Sequence, residues 1–333
     1  MKRLLFVILA AALGWSGYWV VGVQGVKSGF ANWFGARQAQ GWAAEYADLA
    51  VRGFPNRFDT TFTDLSLADP ATGWAWEAPF FQILALSYKP NHVIAIWPDQ
   101  QLLATPGDKY DITSAKMQAS LVLDAGIDLP LNRSNLAADT VQVAAREGGT
   151  TTMTALRVAV QRVESTKHTY RMAVTADDLA PPLDFRTRID AQGALPRTLA
   201  ALRADLTVSF DRQWDRSAIE QSRPQPTALT LKLAEARWGE LELLAAGELE
   251  IDTQGRPMGR LTVKARNWRE MIQMAVAAGA LSQGIGDQIE NALGMLAGLS
   301  GNPKTLDVPL DFRRGLIFLG PLPVGTAPIV RLR

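Results

Sequence analysis

Few side chains in this sequence are able to do acid–base or nucleophilic work. Histidine occurs only at His92 and His168, and cysteine is absent. An imidazole titrates nearest to neutrality, so these two are the first candidates for a catalytic base. They stand far apart, and neither sits in a His-x-x-x-His pair or any other spacing that would supply a partner. His92 follows Lys89-Pro90-Asn91, where Pro-Asn suits the centre of a tight turn, so a solvated turn histidine is expected. His168, between Lys167 and Thr169, reads as another exposed turn. The carboxylates form no paired motif. Asp184 and Asp190 alternate with Arg186 and Arg188, which on a strand gives one solvated face. Asp177-Asp178, ahead of Pro181, reads as a loop. Gly284-Ile285-Gly286 lacks the preceding strand and the third glycine of a dinucleotide site, and no phosphate loop or nucleophile elbow occurs. Without cysteine there are no disulfides, thiolate chemistry or cysteine metal sites. The expectation is a protein that is not an enzyme, with no cofactor and no metal; a carboxylate pair assembled by folding stays open.

Aromatic residues are more suggestive than ionisable ones. One segment is Gly53-Phe54-Pro55-Asn56-Arg57-Phe58-Asp59. Another runs from Trp74-Ala75-Trp76 through Ala78-Pro79-Phe80 to Ser87-Tyr88-Lys89-Pro90-Asn91-His92 and Trp97-Pro98. Proline and glycine at such points set turns, and tryptophans mostly fill cores. The functional alternative is an aromatic rim for an acyl chain or a partner, for which Trp76, Phe80, Tyr88 and Trp97 are the candidates. Leu249 and Ile251 join them as candidate groove residues on a later strand.

Several elements must position these residues. Lys2-Arg3 precedes Leu4 to Val23, which carries no charge and has about the length that spans a bilayer as a helix. Trp15, Tyr18 and Trp19 lie where interfacial anchors belong, and the basic start keeps the N-terminus inside. A signal peptide cut near Ala10-Ala11-Ala12 is the competing reading, although it would leave a short apolar core. Both readings export the chain. An amphipathic helix is expected over residues 24–52, from Val26, Phe30, Trp33, Trp42, Tyr46 and Leu49 at spacings of three and four. Its role would be a stalk on the membrane or a helix packed on a sheet.

From residue 53 the pattern is that of strands. Leu206, Val208 and Phe210 alternate with Thr207, Ser209 and Asp211; Leu249 and Ile251 alternate with Glu248, Glu250 and Asp252. Leu261, Val263 and Ala265 then alternate with Thr262, Lys264 and Arg266. Period two with one charged face means half-buried antiparallel strands. Residues 253–259 suit a hairpin connection, and Arg313-Arg314-Gly315 turns the last alternating run into Leu316 to Leu319. Trp268 to Leu299 is different, reading as two helical pieces that break around Ser282-Gln283-Gly284. The fold class expected is mainly β with α: a membrane helix at 1–23, then a long curved antiparallel sheet over 53–333 with a helical hairpin packed on or in it. Two lobes dividing near 181–197 are an option, and one continuous sheet is the other.

Charge narrows the partners. The formal net charge is +1, with 34 Lys and Arg against 33 Asp and Glu. Nothing here suggests a nucleic-acid surface. The partners to expect are the inner membrane and, beyond it, lipid or other envelope proteins.

The Gly-x-Pro-x-Arg-Phe stretch at 53–58, Trp76-x-Ala78-Pro79, Ser87-Tyr88-x-Pro90-Asn91-x-Val93 and Trp97-Pro98 resemble domain-of-unknown-function family 2125. The resemblance implies a proteobacterial envelope protein with an N-terminal hydrophobic segment, and it implies no activity or catalytic residue. A looser similarity, in architecture alone, is to AsmA-like β-groove lipid carriers. Two functions compete on this reading: binding of lipid or acyl chains in a groove, and a membrane-tethered envelope scaffold with a closed core. The location expected is the inner membrane, single-pass, with the C-terminal domain in the periplasm.

Overall fold

In the computed structural model, which describes residues 1–190, 193–299 and 303–332, the chain opens with one unbroken helix, α1 (Lys2–Ala39). No proline interrupts it, and Gly41 at φ 88 stops it in the left-handed conformation that only glycine adopts freely. The helix expected over 24–52 therefore needs correcting. Its second part forms β1 (Ala43–Glu45) and β2 (Asp48–Arg52) instead. Trp42, Tyr46 and Leu49 still gather with Phe30 and Trp33, because these strands double back beside the helix end.

The sheet follows: β3 (Arg57–Asp69), β4 (Trp74–Leu86), β5 (Lys89–Ile96), β6 (Gln100–Ala104), β7 (Lys109–Ala115) and β8 (Gln118–Leu123). Then come β9 (Leu131–Ala145), β10 (Gly149–Arg162), β11 (Thr169–Ala180), α2 (Leu183–Ile189), β12 (Ala201–Phe210), α3 (Ser217–Glu220) and β13 (Pro226–Trp238). The last part comprises β14 (Leu241–Ile251), β15 (Pro257–Arg266), α4 (Trp268–Ala277), α5 (Gln283–Leu299), β16 (Thr305–Arg313), β17 (Leu316–Leu319) and β18 (Leu322–Thr326). Every pairing is antiparallel. The sheet runs without interruption through 181–197, since β11 and β12 pair from Ala176↔Leu202 to Thr169↔Ser209.

The pairings β4–β5, β5–β8, β8–β9, β9–β7, β7–β6 and β6–β4 form a closed circuit. Its registers explain it. β5 and β6 meet the same side of β4 with a one-residue slip, and β7 and β8 meet β9 in one continuous register. Each pair is one long strand broken at a bulge, and the bulges line up. The line crosses Tyr46-Ala47, Asp64 opposite Pro79, residues 97–99, Lys116 opposite Asp139, Ala155 and Asp178. Asp64, Lys116, Ala155 and Asp178 have φ of 47–51°, a conformation uncommon outside glycine. A bulge bends its strand and raises local twist, so aligned bulges crease the sheet. The crease also switches which face is inward: Phe62 and Leu65 are 2% and 3% exposed although three residues apart, which a flat strand forbids.

Three apolar clusters fill the molecule. Phe62 packs edge-on to Phe30 (5.0 Å) and close to Phe34 (5.7 Å), fixing α1 over β1–β4. Tyr170, Val208 and Phe210 centre the second. The expected helical hairpin is present as α4 and α5, whose Trp268, Ile289 and Leu293 cover Leu306, Val308 and Leu319. Hairpin signals held as well: Arg314 and Gly315 (φ 55 and 74) join β16 to β17, the geometry a two-residue hairpin prefers.

Candidate functional site

The ionisable candidates do not converge. His92 lies in β5 rather than in a turn; it is half-buried, with Nε2 3.2 Å from Ser120 Oγ. The turn falls three residues earlier, at Ser87-Tyr88, where Ser87 is held in place. Its N–H donates to Asn56 O (2.8 Å), its Oγ donates to Pro55 O (3.3 Å), and its carbonyl accepts from Tyr18 (2.5 Å). His168 is exposed, as expected. Asp184, Arg186 and Arg188 stand on α2, not on a strand; the acid in the first turn and the bases in the last favour a helix. Asp190 closes that helix by accepting from Leu195 N (2.7 Å) and Ala194 N (3.0 Å), which holds its carboxyl below the usual range. Asp177 and Asp178 belong to β11 at the crease rather than to a loop, and Asp178 accepts from Thr154 Oγ1 (3.1 Å). Among the described residues, no three of His, Asp and Glu group as a metal would need.

What does converge is aromatic. The far ends of β3, β4, β6 and β7 carry Leu67, Trp74, Trp76, Leu103 and Tyr110, and together with Trp42 they line a cleft of about 1010 Å³. That volume is at the upper end for small-molecule sites. Turn chemistry holds the wall. Asp69 accepts from Ala71 N (3.0 Å) and Thr72 Oγ1 (2.8 Å), and Gly73 (φ 72) leaves room for Pro106, whose Cγ would lie 2.9 Å from an added Cβ. Arg223, Arg331 and Leu332, from much later in the chain, complete the lining. Gln225 clamps this tail, its amide donating to Leu332 O (2.8 Å) and accepting from Leu332 N (3.1 Å). Val330 N donates to Gly255 O (2.8 Å) and ties the tail to the β14–β15 turn.

Positive charge collects here without acidic partners. Neither Arg223 nor Arg331 makes an ion pair among the described residues, whereas Asp69, the one acid on the lining, is occupied in its own turn. Behind Trp42 lies Arg37, only 8% exposed. Its guanidinium sits 5.9 Å from the Trp42 ring centroid and 5.7 Å from that of Trp33. Nη2 donates to Glu220 O at 3.3 Å, and Nε has no partner. Tryptophan faces help a desolvated cation, yet a buried charge without a counter-charge is costly. An anion nearby would offset that cost.

The six residues singled out from the sequence separate into four places. Trp76 lines the cleft, with Nε1 donating to Gln101 Oε1 (2.7 Å) and its ring 5.3 Å from Phe81. Trp97, at the crease, meets Phe81 from the other side at 5.3 Å. Phe80 points away from Phe81, as a neighbour on a strand must. Tyr88, 63% exposed, caps the β4–β5 turn near α1. Leu249 and Ile251 face inward on β14, with Ile251 buried and Glu248 and Glu250 exposed, away from the cleft. Trp42, Tyr110, Arg37, Arg223 and Arg331 were not readable as one site, since they are scattered from residue 37 to residue 331; a basic residue amid tryptophans at Trp33, Arg37 and Trp42 is the local trace.

Comparison with known proteins adds a family. The sequence profile described as "Uncharacterized protein conserved in bacteria (DUF2125)" matches residues 19–328, which takes in every strand from β1 to β18. The chain belongs to that family. No curated protein and no solved structure matches it, so the likeness to AsmA-like carriers gains no support from them.

Proposed function

We propose that this family member is a non-catalytic, membrane-tethered binding protein whose cleft takes an amphiphile with an acidic headgroup. The observation that carries the reading is the cleft itself: Trp42, Trp74, Trp76 and Tyr110 line it together with Arg223 and Arg331, which make no ion pair among the described residues. Apolar chains gain from burial against the wall, and guanidinium groups pair carboxylate or phosphate in bidentate fashion. α1 supports a tether, being long and apolar enough to cross a membrane, and Lys2-Arg3 ahead of the apolar run orients the domain away from the cytoplasm.

The test is to purify the full-length chain from membranes in mild detergent and identify retained lipid by mass spectrometry. Wild type should carry an acidic lipid, and R223E/R331E and W76A should lose it while remaining folded. Equal lipid in all three would remove the cleft from consideration, and none in any would favour the envelope scaffold. A reporter fused after Arg333 should work only if it is one that requires export.

A further inference from the structure

The first contacts between α1 and the domain come early in the helix. Residues 1–14 are exposed throughout, and Trp15 is the first to engage. Its Nε1 donates to Pro55 O (3.0 Å) and lies 3.2 Å from Asn56 Oδ1. Tyr18 donates to Ser87 O (2.5 Å), Trp19 Nε1 donates to Arg57 O (2.8 Å), and Gly22 lets Phe58 approach so closely that a Cβ there would meet its ring at 2.4 Å. These aromatics are the belt expected at the outer membrane interface, and their polar atoms are spent on the β2–β3 loop and the β4–β5 turn.

Depth then follows from helix geometry. Lys2 and Arg3 mark the inner surface, and from Arg3 to Trp15 an α-helix rises about 18 Å. The hydrocarbon core is about 30 Å thick, with headgroup layers adding about 5–7 Å on each side. Snorkelling by Lys2 and Arg3 recovers only part of the gap, and tilting α1 makes it wider. The loops bonded to Trp15, Tyr18 and Trp19 therefore cannot stand clear of the bilayer.

We infer that the end of the sheet formed by residues 53–57 and the Ser87-Tyr88 turn is seated in the outer leaflet at the headgroup–acyl boundary, with Phe54 and Tyr88 in contact with lipid. The composition of this end fits a lipid surface. Phe54 is 58% exposed and Tyr88 63%, and Arg52, Arg57 and Lys89 stand beside them; Arg57 pairs with Asp59 (3.0 Å), whereas Arg52 and Lys89 make no ion pair among the described residues. Aromatic rings with basic neighbours suit an interface rich in anionic headgroups. The inference rests on α1 spanning the membrane, and its test keeps the two claims apart.

Because the chain has no cysteine, single cysteines can be labelled cleanly. F54C, Y88C, L9C in the span and E147C in the distal β9–β10 turn would each carry bimane in the full-length protein. The host would be nanodiscs of phosphatidylcholine and phosphatidylglycerol. Brominated acyl chains should quench F54C, Y88C and L9C, and aqueous iodide should quench E147C alone. If L9C is lipid-quenched while F54C and Y88C respond to iodide as E147C does, the seating is wrong although the span stands. If L9C itself escapes lipid quenching, the span fails and the seating with it.

Discussion

β3 and β4 have two ends about 40 Å apart along the strand, and the molecule treats them in opposite ways. At the near end, Trp15, Tyr18 and Trp19 donate to Pro55, Arg57 and Ser87 carbonyls, so exposed loops are stitched to a helix with their acceptors satisfied. At the far end, the same two strands offer aromatic faces to a cleft, and Arg223, Arg331 and Arg37 make no ion pair among the described residues. One end is closed by its own chain. The other leaves basic side chains and apolar surface lining an open cleft. The proposed seating and the proposed binding therefore fall at opposite ends of one pair of strands, with α1 touching both: Trp15, Tyr18 and Trp19 hold the near end, and Arg37 backs the far one.

The largest effect should come from cutting the link between the ends. Phe62, 2% exposed, holds Phe30 and Phe34 in the last third of α1. Phe62→Ala should cost about 3–5 kcal/mol, read as a lower urea midpoint of tryptophan fluorescence. Lipid retention should fall with it, because Trp42 and Arg37 lose their support. A destabilised variant that retains lipid fully would show that the far end does not depend on α1.

Next in size is the cleft alone. Arg223→Glu with Arg331→Glu reverses two exposed charges, so stability should stay within about 0.5 kcal/mol. Affinity for an anionic amphiphile, measured by titration with a fluorescent fatty acid, should fall about tenfold or more, as loss of charge-assisted bonds implies. Trp19→Ala should do the reverse, lowering stability and sparing affinity. Matching effects from both variants would dissolve the contrast between the ends.

Much of the sheet was legible, and the reason is local. Period-two alternation at 206–211 and 247–252 states both the strand and its inward face, and Arg314-Gly315 states its own turn. Where the account failed, long-range structure decided. The run 24–52 has helical spacing throughout, but Gly41 ends the helix, and the same apolar residues serve a strand pair folded back beside it. The crease was invisible, because Asp64, Lys116, Ala155 and Asp178 carry no common residue type; only their alignment across neighbouring strands makes a bend. The cleft was legible in one residue only. Of the expected rim of Trp76, Phe80, Tyr88 and Trp97, only Trp76 lines it, while Arg223 and Arg331 arrive from later in the chain beside Gln225, a contact no spacing encodes.

The smallest expected effect concerns the ledge that leads from one end toward the other. Asp124 accepts from Arg162 and from Asn132 Nδ2 (2.9 Å), and these bonds, Arg162 first, hold its carboxyl below the usual carboxylate range. Beside it, Asp128 O and Leu131 N bond the 214–216 segment, and α3 then presents Glu220 O to Arg37. A carboxyl with a depressed folded pKa adds stability that is fully present above its unfolded value, near 3.9, and is lost as pH falls through the folded value. Asp124 is 38% exposed, so solvent screening limits the pair to about 1 kcal/mol at most. Asp124→Asn should therefore unfold slightly earlier than wild type at pH 7, and the two should converge once wild-type Asp124 is itself protonated. Lipid retention at pH 7 should be unchanged, since Arg37 keeps its bond to Glu220 O. A stability gap that persists unaltered into acid would mean that Asp124 acts through shape rather than charge. A loss of lipid would tie the near-end loop to the cleft and undo the separation of the two ends.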